Sequence, residues 1–397
     1  MRPTAGSTSI LVFVVCILGF GCGQESIDSP ALDLSQIELP SGFAISLYAA
    51  KVPNARSLSI SPGGTLFVGT RQKDYIYALR DSDGDFVVDQ QFQIGKGFVM
   101  PNGVAFRDGA LYVAEVNRIW RFDDIEAVLD KAIKTSETRV QDGTLTEINL
   151  SELAGSAVIY DGFPSDRHHG WKYIAFGPDG KLYVPVGSPC NVCDRGDPYG
   201  TITRMNVDGS GFEIVARGVR NSVGFDWHPE SDEMWFTDNG RDNLGDDIPS
   251  DEINRMAGPE NHFGFPYVHA GTILDPEFGQ DKSASDYSAP VQLLGAHKAA
   301  LGMEFYTGSS FPEAYRNKIF IAEHGSWNRS EKVGYQLSVL SVHPDSTEES
   351  YTPFAKGWLQ GETAWGRPVD VELLPDGSML ISDDLAGAIY RISYAGS

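Results

Sequence analysis

Residues 174–184 have the sequence Ile-Ala-Phe-Gly-Pro-Asp-Gly-Lys-Leu-Tyr-Val, in which two short apolar runs flank a turn of Gly, Pro and Asp. This pattern predicts a β-hairpin, because alternating apolar residues form half-buried strands and Gly, Pro and Asp favour tight turns. The same design occurs six times along the chain. The six segments are 58–68, 104–113, 174–184, 223–236, 303–321 and 371–381.

Further apolar strands follow several of these hairpins, for example at 118–122 and 388–392. A hairpin with one or two outer strands that recurs along a chain is typical of β-propeller blades. Six hairpins therefore predict an all-β, six-bladed β-propeller, with five or seven blades as the alternatives. The uneven spacing predicts long loops inserted between blades, where such scaffolds carry function. Residues 124–135 are the best candidate for a helix.

The start of the chain has the features of a secretory signal rather than a membrane span. A weakly basic start precedes an uncharged apolar run over 10–20, which is too short to cross a bilayer. The run ends in Gly-Phe-Gly-Cys22, similar to a bacterial lipoprotein processing site at which Cys22 is acylated; the alternative is a soluble secreted form. We expect a signal peptide over 1–22, a polar tether over 23–36 and one propeller domain over 37–397. The expected location is the periplasm or outer cell envelope, with membrane contact only through the lipid.

Charge and cysteine content exclude some functions. The net charge of −23 argues against nucleic acid as a partner, because phosphate binding needs clustered Lys and Arg. Beyond the leader, Cys190 and Cys193 remain in Cys-x-x-Cys spacing, without a second pair for zinc or a following His for haem attachment. In an oxidising compartment we expect a disulfide that closes this loop, with a redox role as the less favoured alternative.

Polar residues recur at equivalent places in the repeat. Antiparallel strands place the residues before the first strand and after the second strand at the same end of a blade, so they converge on one mouth. Arginines gathered there favour an anionic ligand and oxygen donors favour calcium. The alternative is that Arg220 and Arg367 form structural ion pairs with Asp238, Asp370 or Asp383. The residues before the first strand are Asn102, His169, Arg220, Asn221 and Arg367; those after the second are Arg71, Glu115, Asp238, Asn239, Gly240, Glu323, His324, Asp383 and Asp384.

Four motifs in this order resemble the soluble quinoprotein glucose and sorbosone dehydrogenase family, most of all its sorbosone-dehydrogenase-like branch. The resemblance implies oxidation of a sugar hydroxyl or aldehyde, of an aldose or a sorbosone-like substrate, with pyrroloquinoline quinone (PQQ) and calcium as cofactors. It also implies a small sugar and an external electron acceptor, such as a cytochrome, as partners. The motifs are 166–187, Gly218-Val-Arg-Asn221, Asp251-Glu-Ile-Asn254 with Asn261-His-Phe-Gly-Phe-Pro266, and Gly366-Arg-Pro-Val-Asp-Val371; the branch is indicated by 188–193 and 324–329.

The resemblance implies a role for each matching residue. His169 is the general base, with the adjacent His168 as the alternative, and Arg220 is both catalytic and cofactor-binding. The backbone carbonyls of Gly240 and Arg241 hold the catalytic calcium. The remaining cofactor contacts are Asn221, Asn239 and Arg367, with Arg329 or Lys332 in place of a family lysine that has no clear counterpart. Val369 stands where glucose-specific members have a second arginine.

Other features leave alternatives open. Asp81, Asp83, Asp85 and Asp89 alternate around a glycine turn, a spacing that predicts a second calcium site or a solvated acidic turn. One rival function is a calcium-dependent lactonase of propeller form, and another is a non-catalytic propeller that binds carbohydrate or protein. The lactonase would hold its metal through Glu115, Asp238, Glu323 and Asp383. Four further histidines are expected at the surface or in the core; they are His228, His262, His269 and His297.

Overall fold

The computed structural model describes residues 32–135, 146–148, 155–258, 261–342 and 350–396. The expected signal peptide, with Cys22, and the first part of the expected tether lie outside these ranges. The described chain starts with a 3-10 turn, Leu34–Gln36, and a first strand, β1 (Phe43–Ala49). No helix within the described ranges is long and apolar enough to span a membrane.

Six antiparallel sheets form the six blades of a β-propeller. The first strand of each blade lies innermost, where it contacts first strands of neighbouring blades. Blade 1 consists of β2 (Ala55–Ile60), β3 (Leu66–Thr70), β4 (Ile76–Arg80) and β5 (Gln90–Ile94). Blade 2 consists of β6 (Gly103–Arg107), β7 (Ala110–Ala114), β8 (Ile119–Phe122) and β10 (Ala157–Tyr160). Blade 3 consists of β11 (Ala175–Phe176), β12 (Leu182–Val186), β13 (Thr201–Met205) and β14 (Glu213–Arg217). Blade 4 consists of β15 (Phe225–Trp227), β16 (Met234–Asp238), β17 (Ser250–Met256) and β21 (Gln292–Ala296). Blade 5 consists of β22 (Ala300–Phe305), β23 (Ile319–Glu323), β24 (Gln336–Ser341) and β25 (Ser350–Lys356). Blade 6 consists of β28 (Pro368–Leu373), β29 (Met379–Asp383) and β30 (Ala388–Tyr394), and β1 completes it.

The two ends of the chain close the propeller together. Strand β1 pairs antiparallel with β30, so that Phe43 lies opposite Tyr394 and Leu47 lies opposite Tyr390. The outer strand of blade 6 therefore comes from the N-terminal end, and its other three strands come from the C-terminal end. Leu32 and Leu34 also pack against the core between blades 5 and 6.

Short elements are added at the edges of the blades. Helix α1 (Ile125–Thr135) follows β8, and Glu126 fixes it to blade 1 by accepting hydrogen bonds from Ser61 and Thr65. Two short strands pair in parallel with outer strands, and two small hairpins and two 3-10 turns lie in the loops. These are β9 (Thr146–Ile148) beside β5, β18 (Asn261–His262) beside β14, the hairpins β19 (Val268–His269) with β20 (Ile273–Leu274) and β26 (Leu359–Gln360) with β27 (Thr363–Ala364), and the turns Ala284–Asp286 and Glu313–Tyr315.

The apolar core is divided among the interfaces between blades. Six clusters of buried side chains each fill the space between two neighbouring blades. Sheets pack face to face because the side chains of each strand alternate between its two faces. The all-β, six-bladed fold is confirmed, as are the six hairpins, the strands near 118–122 and 388–392, and the helix near 124–135.

Candidate active site

One end of the propeller axis carries a cavity of about 360 Å³. Much of its wall comes from residues at or near the start of the first strand of a blade and the end of the second, which includes most of the ring expected from the repeat. A volume of this size suits a small organic ligand. The charged and titratable residues that line it include four arginines, Arg56, Arg71, Arg220 and Arg367, and three histidines, His169, His297 and His324.

The inner part of the cavity has an apolar side. Trp171 and Leu301 line the cavity, and Val223 and Val369 pack behind them in one cluster. Strand pairing shifts register at the start of the first strand in blades 1, 5 and 6, and Arg56, Leu301 and Val369 lie at these shifts. Val369, which stands where glucose-specific members have a second arginine by resemblance, is therefore equivalent to Arg56 in the neighbouring blade. Arg56 lines the cavity, where it is paired with Asp384.

His169 presents a free ring nitrogen at the cavity. The residue is 7% exposed, and its Nδ1 lies 2.9 Å from the backbone oxygen of Ser188. A carbonyl oxygen only accepts hydrogen bonds, so Nδ1 carries the proton and the Nε2 lone pair is available. Nε2 has no hydrogen-bond partner among the described residues. Burial, and then the positive charge of Arg220, keeps the pKa of His169 well below its usual value.

His168 occupies a different environment from its neighbour. It is exposed and does not line the cavity, although its ring centre lies 4.1 Å from that of His169. The geometry therefore favours His169 over His168 as the group that meets a bound ligand.

Arg220 is buried and held by several hydrogen bonds. It is 4% exposed, and Nε and Nη2 donate to the backbone and side-chain oxygens of Asn191, each over 2.9 Å. Nη1 donates to the backbone oxygen of Asn239 over 3.1 Å, and Nη2 also pairs with Asp242 over 3.1 Å. Asp238 does not pair with the guanidinium, because its carboxylate accepts the backbone N–H groups of residues 220 and 221. The alternative of an Arg220–Asp238 ion pair is thus not what the structure shows.

Arg367 is oriented without a carboxylate partner. Its Nε donates to the backbone oxygen of His324 over 3.0 Å, and Nη2 donates to that of Gly325 over 2.7 Å. Asp383 accepts the backbone N–H of Arg367, and the Asp370 carboxylate accepts that of Leu58. Hydrogen bonds to neutral carbonyls fix the direction of a guanidinium and leave its charge uncancelled.

Arg56, His324 and Asp384 form a buried network beside Arg367. Asp384 accepts from Arg56 over 3.0 Å and from Nε2 of His324 over 2.8 Å. Burial lowers the pKa of His324 to about 4, so the imidazole is neutral at pH 7 and donates to Asp384. His324, which belongs to the ring expected from the repeat, thus links Asp384 to the cavity wall.

Arg71 is the cation with the fewest partners in the cavity. Its guanidinium carbon lies 3.9 Å from the ring centre of Trp171, and it forms no ion pair with another described residue. Burial, followed by repulsion from Arg56, lowers the pKa of Arg71 to about 10. Nε1 of Trp171 is also buried without a hydrogen-bond partner among the described residues. A partly buried cation without an ion-pair partner among the described residues favours an anionic ligand.

Oxygen atoms that could bind a metal line the cavity beside Arg220, which hydrogen-bonds to Asn239 and Asp242. Asn239, Gly240, Asp242 and Asp251 line the cavity, and Asp251 accepts from the Gly240 backbone N–H over 2.8 Å. The Arg241 side chain does not line the cavity and binds Asp275 instead. The positive charge of Arg241 is therefore neutralised away from the expected metal position.

The mouth of the cavity carries an exposed aromatic ring. Trp327 is 72% exposed and lines the cavity together with Asn328, whose side-chain nitrogen donates to Asp242 over 2.8 Å. His297 lines the cavity too; it is a buried histidine whose Nε2 lies 2.8 Å from the backbone oxygen of Gly245. The repeat pattern does not predict this position, because His297 follows the last strand of a blade and does not occupy a repeat-equivalent position.

Arg329 and Lys332 are not brought to the cavity. Arg329 donates to the backbone oxygen of Asp246 and pairs with Asp247, and Lys332 donates to the backbone oxygen of Glu362. The expectation that one of them replaces the family lysine does not fit this arrangement, because local partners already engage both. Arg56 and Arg71 are the additional cations that the cavity has.

The carboxylates that a lactonase would need are engaged elsewhere. None of the four lines the cavity. Glu115 accepts from Trp120, Glu323 accepts from Ser338 and Gln336, and Asp238 and Asp383 accept backbone N–H groups. This arrangement counts against direct coordination of a metal by these side chains.

The acidic turn at 81–89 lies in the loop after β4. Carboxylate oxygens of Asp81, Asp83 and Asp89 lie within 4.8 Å of one another, whereas Asp85 accepts from the backbone N–H of Val87. Three of the four expected side chains are thus together. Asp81 and Asp89 also accept hydrogen bonds within the turn, as in a solvated acidic loop.

Cys190 and Cys193 form a disulfide that closes the loop after β12. The loop lies directly beside Arg220, because Asn191 is one of the two residues between the cysteines.

A closed propeller with a cationic axial cavity and a buried neutral histidine is a site suited to binding and oxidising a small molecule. A family model described as glucose / sorbosone dehydrogenase matches residues 125–327, and one described as TrAA12-like matches residues 273–395. The chain belongs to the glucose and sorbosone dehydrogenase family, a family of oxidoreductases.

Individual relatives agree with this assignment. A protein of Borreliella burgdorferi, described as uncharacterized, is 34% identical over 368 residues, which cover 91% of each chain. A pyrroloquinoline quinone-dependent pyranose dehydrogenase of Coprinopsis cinerea is 22% identical, over 90% of this chain and 54% of that protein. This chain therefore spans about half of the fungal enzyme. A calcium structure of a Trichoderma reesei protein of carbohydrate-active enzymes family AA12 has the same fold, with a TM-score of 0.72, 16% identity, and coverage of 90% of this chain and 97% of that one.

Proposed function

We propose that this propeller oxidises a small sugar, of the aldose or sorbosone type, with PQQ and calcium bound in the axial cavity and His169 as the general base. The observation that carries the proposal is the position of the free Nε2 of His169 in a cavity that four arginines line. Membership of the family supports the reaction class, and the name of the Coprinopsis cinerea relative supports the cofactor.

The residues present suit this cofactor. PQQ is a flat three-ring tricarboxylate, and Arg56, Arg71, Arg220 and Arg367 offer cationic partners for its acidic groups. The apolar side of the cavity, formed by Trp171 and Leu301, offers a surface for a flat ring.

The part of the cavity lined by Asn239, Gly240, Asp242 and Asp251 suits calcium, which prefers oxygen ligands. By family resemblance the ligands are the carbonyls of Gly240 and Arg241. The side-chain oxygens of Asn239, Asp242 and Asp251 add negative and partial negative charge in the same part of the cavity. When both groups are bound, the quinone supplies the hydride acceptor and the calcium ion supplies a Lewis acid.

His169 performs the proton transfer. Its depressed pKa keeps the imidazole neutral near pH 7, so Nε2 accepts the proton of the sugar hydroxyl as hydride leaves the same carbon. The hydrogen bond from Nδ1 to Ser188 keeps this tautomer in place and supports the positive charge that the ring acquires. The electrons then pass to an external acceptor, for which a cytochrome is a suitable class.

Trp327 marks the sugar side of the site. An exposed tryptophan at the mouth of a polar cavity offers a flat apolar face to the C–H groups of a sugar ring, beside the polar Asn328. The same surface is consistent with aldoses and with sorbosone-like substrates.

We also place this activity in the periplasm or outer cell envelope, with a lipid on Cys22 or, alternatively, as a secreted protein. The Cys190–Cys193 disulfide supports this placement, because disulfides persist in oxidising compartments. Mass spectrometry of the mature N-terminus distinguishes an acylated Cys22 from a cleaved leader.

Reconstitution tests the function. Purified apoprotein is mixed with PQQ and calcium, separately and together, and reduction of an artificial dye is followed with a panel of aldoses. A dehydrogenase gains dye reduction only with both additions and a sugar. Lactone hydrolysis with calcium alone, or sugar binding without any turnover, supports one of the rival functions instead.

The adjacent histidines provide a matched pair for the role of His169. We expect His169→Ala to lower kcat by about 10²- to 10⁴-fold while PQQ still binds, because general-base catalysis contributes a factor of this size. The exposed His168→Ala variant should retain most of the turnover. Similar losses in both variants, or full activity without His169, contradict the assignment of the base.

A further inference from the structure

The loop closed by the Cys190–Cys193 disulfide contacts both of the residues that the proposed reaction depends on most. It follows β12 in blade 3, whereas His169 precedes the first strand of blade 3 and Arg220 precedes that of blade 4. The loop therefore lies between two segments that come from neighbouring blades.

Asn191 binds Arg220 with two different oxygens. Its backbone oxygen accepts from Nε and its side-chain oxygen accepts from Nη2, each over 2.9 Å. The side chain is fixed in turn by Asp242, whose backbone N–H donates to Oδ1 over 2.8 Å and whose backbone oxygen accepts from Nδ2 over 3.0 Å. Every polar atom of the Asn191 side chain is thus used to orient Arg220 or the segment that contains Asp242.

The start of the same loop binds His169. Ser188 accepts from Nδ1 of His169, and its own N–H donates to the backbone oxygen of Arg220 over 2.9 Å. The Ser188 hydroxyl lies 3.4 Å from the sulfur of Cys190 and 3.6 Å from that of Cys193. Gly187 fits between the two segments, because a Cβ there would lie 2.6 Å from Cβ of His169.

We infer that the disulfide loop is a positioning device for the active site, with Asn191 as a positioning residue that fixes the Arg220 guanidinium against His169. A four-residue ring closed by a disulfide restricts the backbone of Asn191, so that its two oxygens remain directed at one guanidinium. Neither the family match nor the relatives assign a role to Asn191 or to the disulfide. The inference rests on the proposed function for its consequence in catalysis, although its geometry does not require a bound cofactor.

The primary test uses the apoprotein, so it is independent of whether the proposed reaction is right. The imidazole of His169 is titrated by NMR in the wild type, in Asn191→Ala and in the double variant Cys190→Ser/Cys193→Ser. Arg220, His168 and Arg71 are the charged or titratable groups that depress the pKa of His169, and Arg220 contributes most among them. Release of Arg220 should therefore move the pKa of His169 upward, toward its ordinary value, in both variants.

The second readout is the dissociation constant of PQQ, measured by fluorescence quenching in the presence of calcium. We expect Asn191→Ala to weaken binding about tenfold or more, because the variant loses the hydrogen bond from Arg220 Nη2 to Oδ1 and the two hydrogen bonds that tie the side chain to Asp242. Val192→Ala is the matched control in the same loop and should change neither quantity. Asn191→Asp, which keeps an acceptor for Arg220, should recover part of the loss.

Unchanged His169 titration and unchanged PQQ affinity in Asn191→Ala overturn the inference. If the double cysteine variant does not fold, Asn191→Ala, which keeps the disulfide, decides the question alone. A protein that never turns over a sugar, but shows the shift in the His169 pKa, refutes the proposed function and leaves the positioning role intact.

Discussion

Replacing Arg71 by glutamine should have opposite effects on the empty protein and on cofactor binding. Arg71 lies over Trp171 without an ion-pair partner among the described residues, in a cavity that Arg56 and Arg367 also line. A cation in this position destabilises the empty protein and is useful only when an anion is bound. Arg71→Gln should therefore make the apoprotein more stable and make PQQ bind more weakly.

The size of the effect follows from the pKa of Arg71. Burial first, then repulsion from Arg56 and Arg367, lowers it from 12.5 to about 10, against the attraction of Asp384. One pKa unit corresponds to about 1.4 kcal/mol, so the charged form is destabilised in the folded protein by about 3 kcal/mol. Discounting for the remaining solvent contact leaves about 2 kcal/mol. A base whose folded pKa is lowered carries this cost at every pH below that pKa, so the cost is fully present at pH 7.

The loss of stacking on Trp171 offsets about 0.5–1 kcal/mol of this gain. We therefore expect Arg71→Gln to raise the free energy of unfolding of the apoprotein by about 1 kcal/mol. The same change should weaken PQQ binding by about 10- to 100-fold, because a hydrogen bond to a charged group contributes about 1.5–3 kcal/mol.

Two assays measure these quantities. Urea unfolding of the apoprotein gives the free energy of unfolding, and fluorescence quenching gives the dissociation constant of PQQ. Arg316→Gln is the matched control, because it makes the same chemical change at an exposed residue in the loop between β22 and β23, at the opposite end of the blade. An apoprotein that becomes less stable together with an unchanged PQQ affinity shows that Arg71 has a structural role only.

Two further predictions concern the mouth and the axis of the propeller. Trp327→Ala should raise KM for the sugar about three- to tenfold with little change in kcat, because stacking on the exposed ring contributes about 0.5–1.5 kcal/mol. An unchanged KM would show that the sugar does not stack on Trp327. Burial raises the pKa of the Glu372 carboxyl from 4.5 to about 8. Between pH 4.5 and pH 8 the folded protein therefore keeps a proton that the unfolded chain loses, so the free energy of unfolding falls as the pH rises. The variant Glu372→Gln keeps an acceptor for the N–H of Ile60, and it should stabilise the protein more at pH 8 than at pH 5. Equal shifts of the urea unfolding midpoint at the two pH values would contradict this prediction.

The blades could be predicted from sequence because each hairpin is a local pattern. Alternation within 58–68 or 371–381 and the turn residues between the two runs are enough to define two paired strands. The pairing of β1 with β30 could not be predicted in this way, because strands 350 residues apart leave no shared local signal. The parallel additions β9 and β18 are only three and two residues long, which is too short for a periodic pattern.

The candidate site was predictable to the same extent as the repeat. His169, Arg220, Asn221, Asn239, Gly240 and Arg367 line one cavity, because they occupy equivalent places at one end of the blades. Arg56 was missed because it lies inside β2, and only the shift of register between Ala55 and Leu58 directs it to the cavity. Arg329 was placed there by analogy with a family lysine, and the nearby Asp246 and Asp247 hold it elsewhere. Side-chain partners of this kind depend on loops that the repeat does not specify.

The chain has a net charge of −23, yet arginines dominate the charged groups of this cavity. The reason lies in which groups the neighbouring carboxylates bind. Asp238 and Asp383 are the last residues of the second strands of blades 4 and 6. Each accepts the backbone N–H of the arginine that precedes the first strand of the same blade. These carboxylates are thereby committed to the backbone, while the guanidinium groups of Arg220 and Arg367 bind mostly neutral carbonyls. A carbonyl orients an arginine without cancelling its charge, whereas a bidentate carboxylate would do both. The repeat therefore supplies acids that build the blades and leaves Arg367, together with Arg71, without an ion-pair partner among the described residues, although Arg220 also pairs with Asp242. Cations of this kind are the electrostatic condition for binding an anion such as a tricarboxylate.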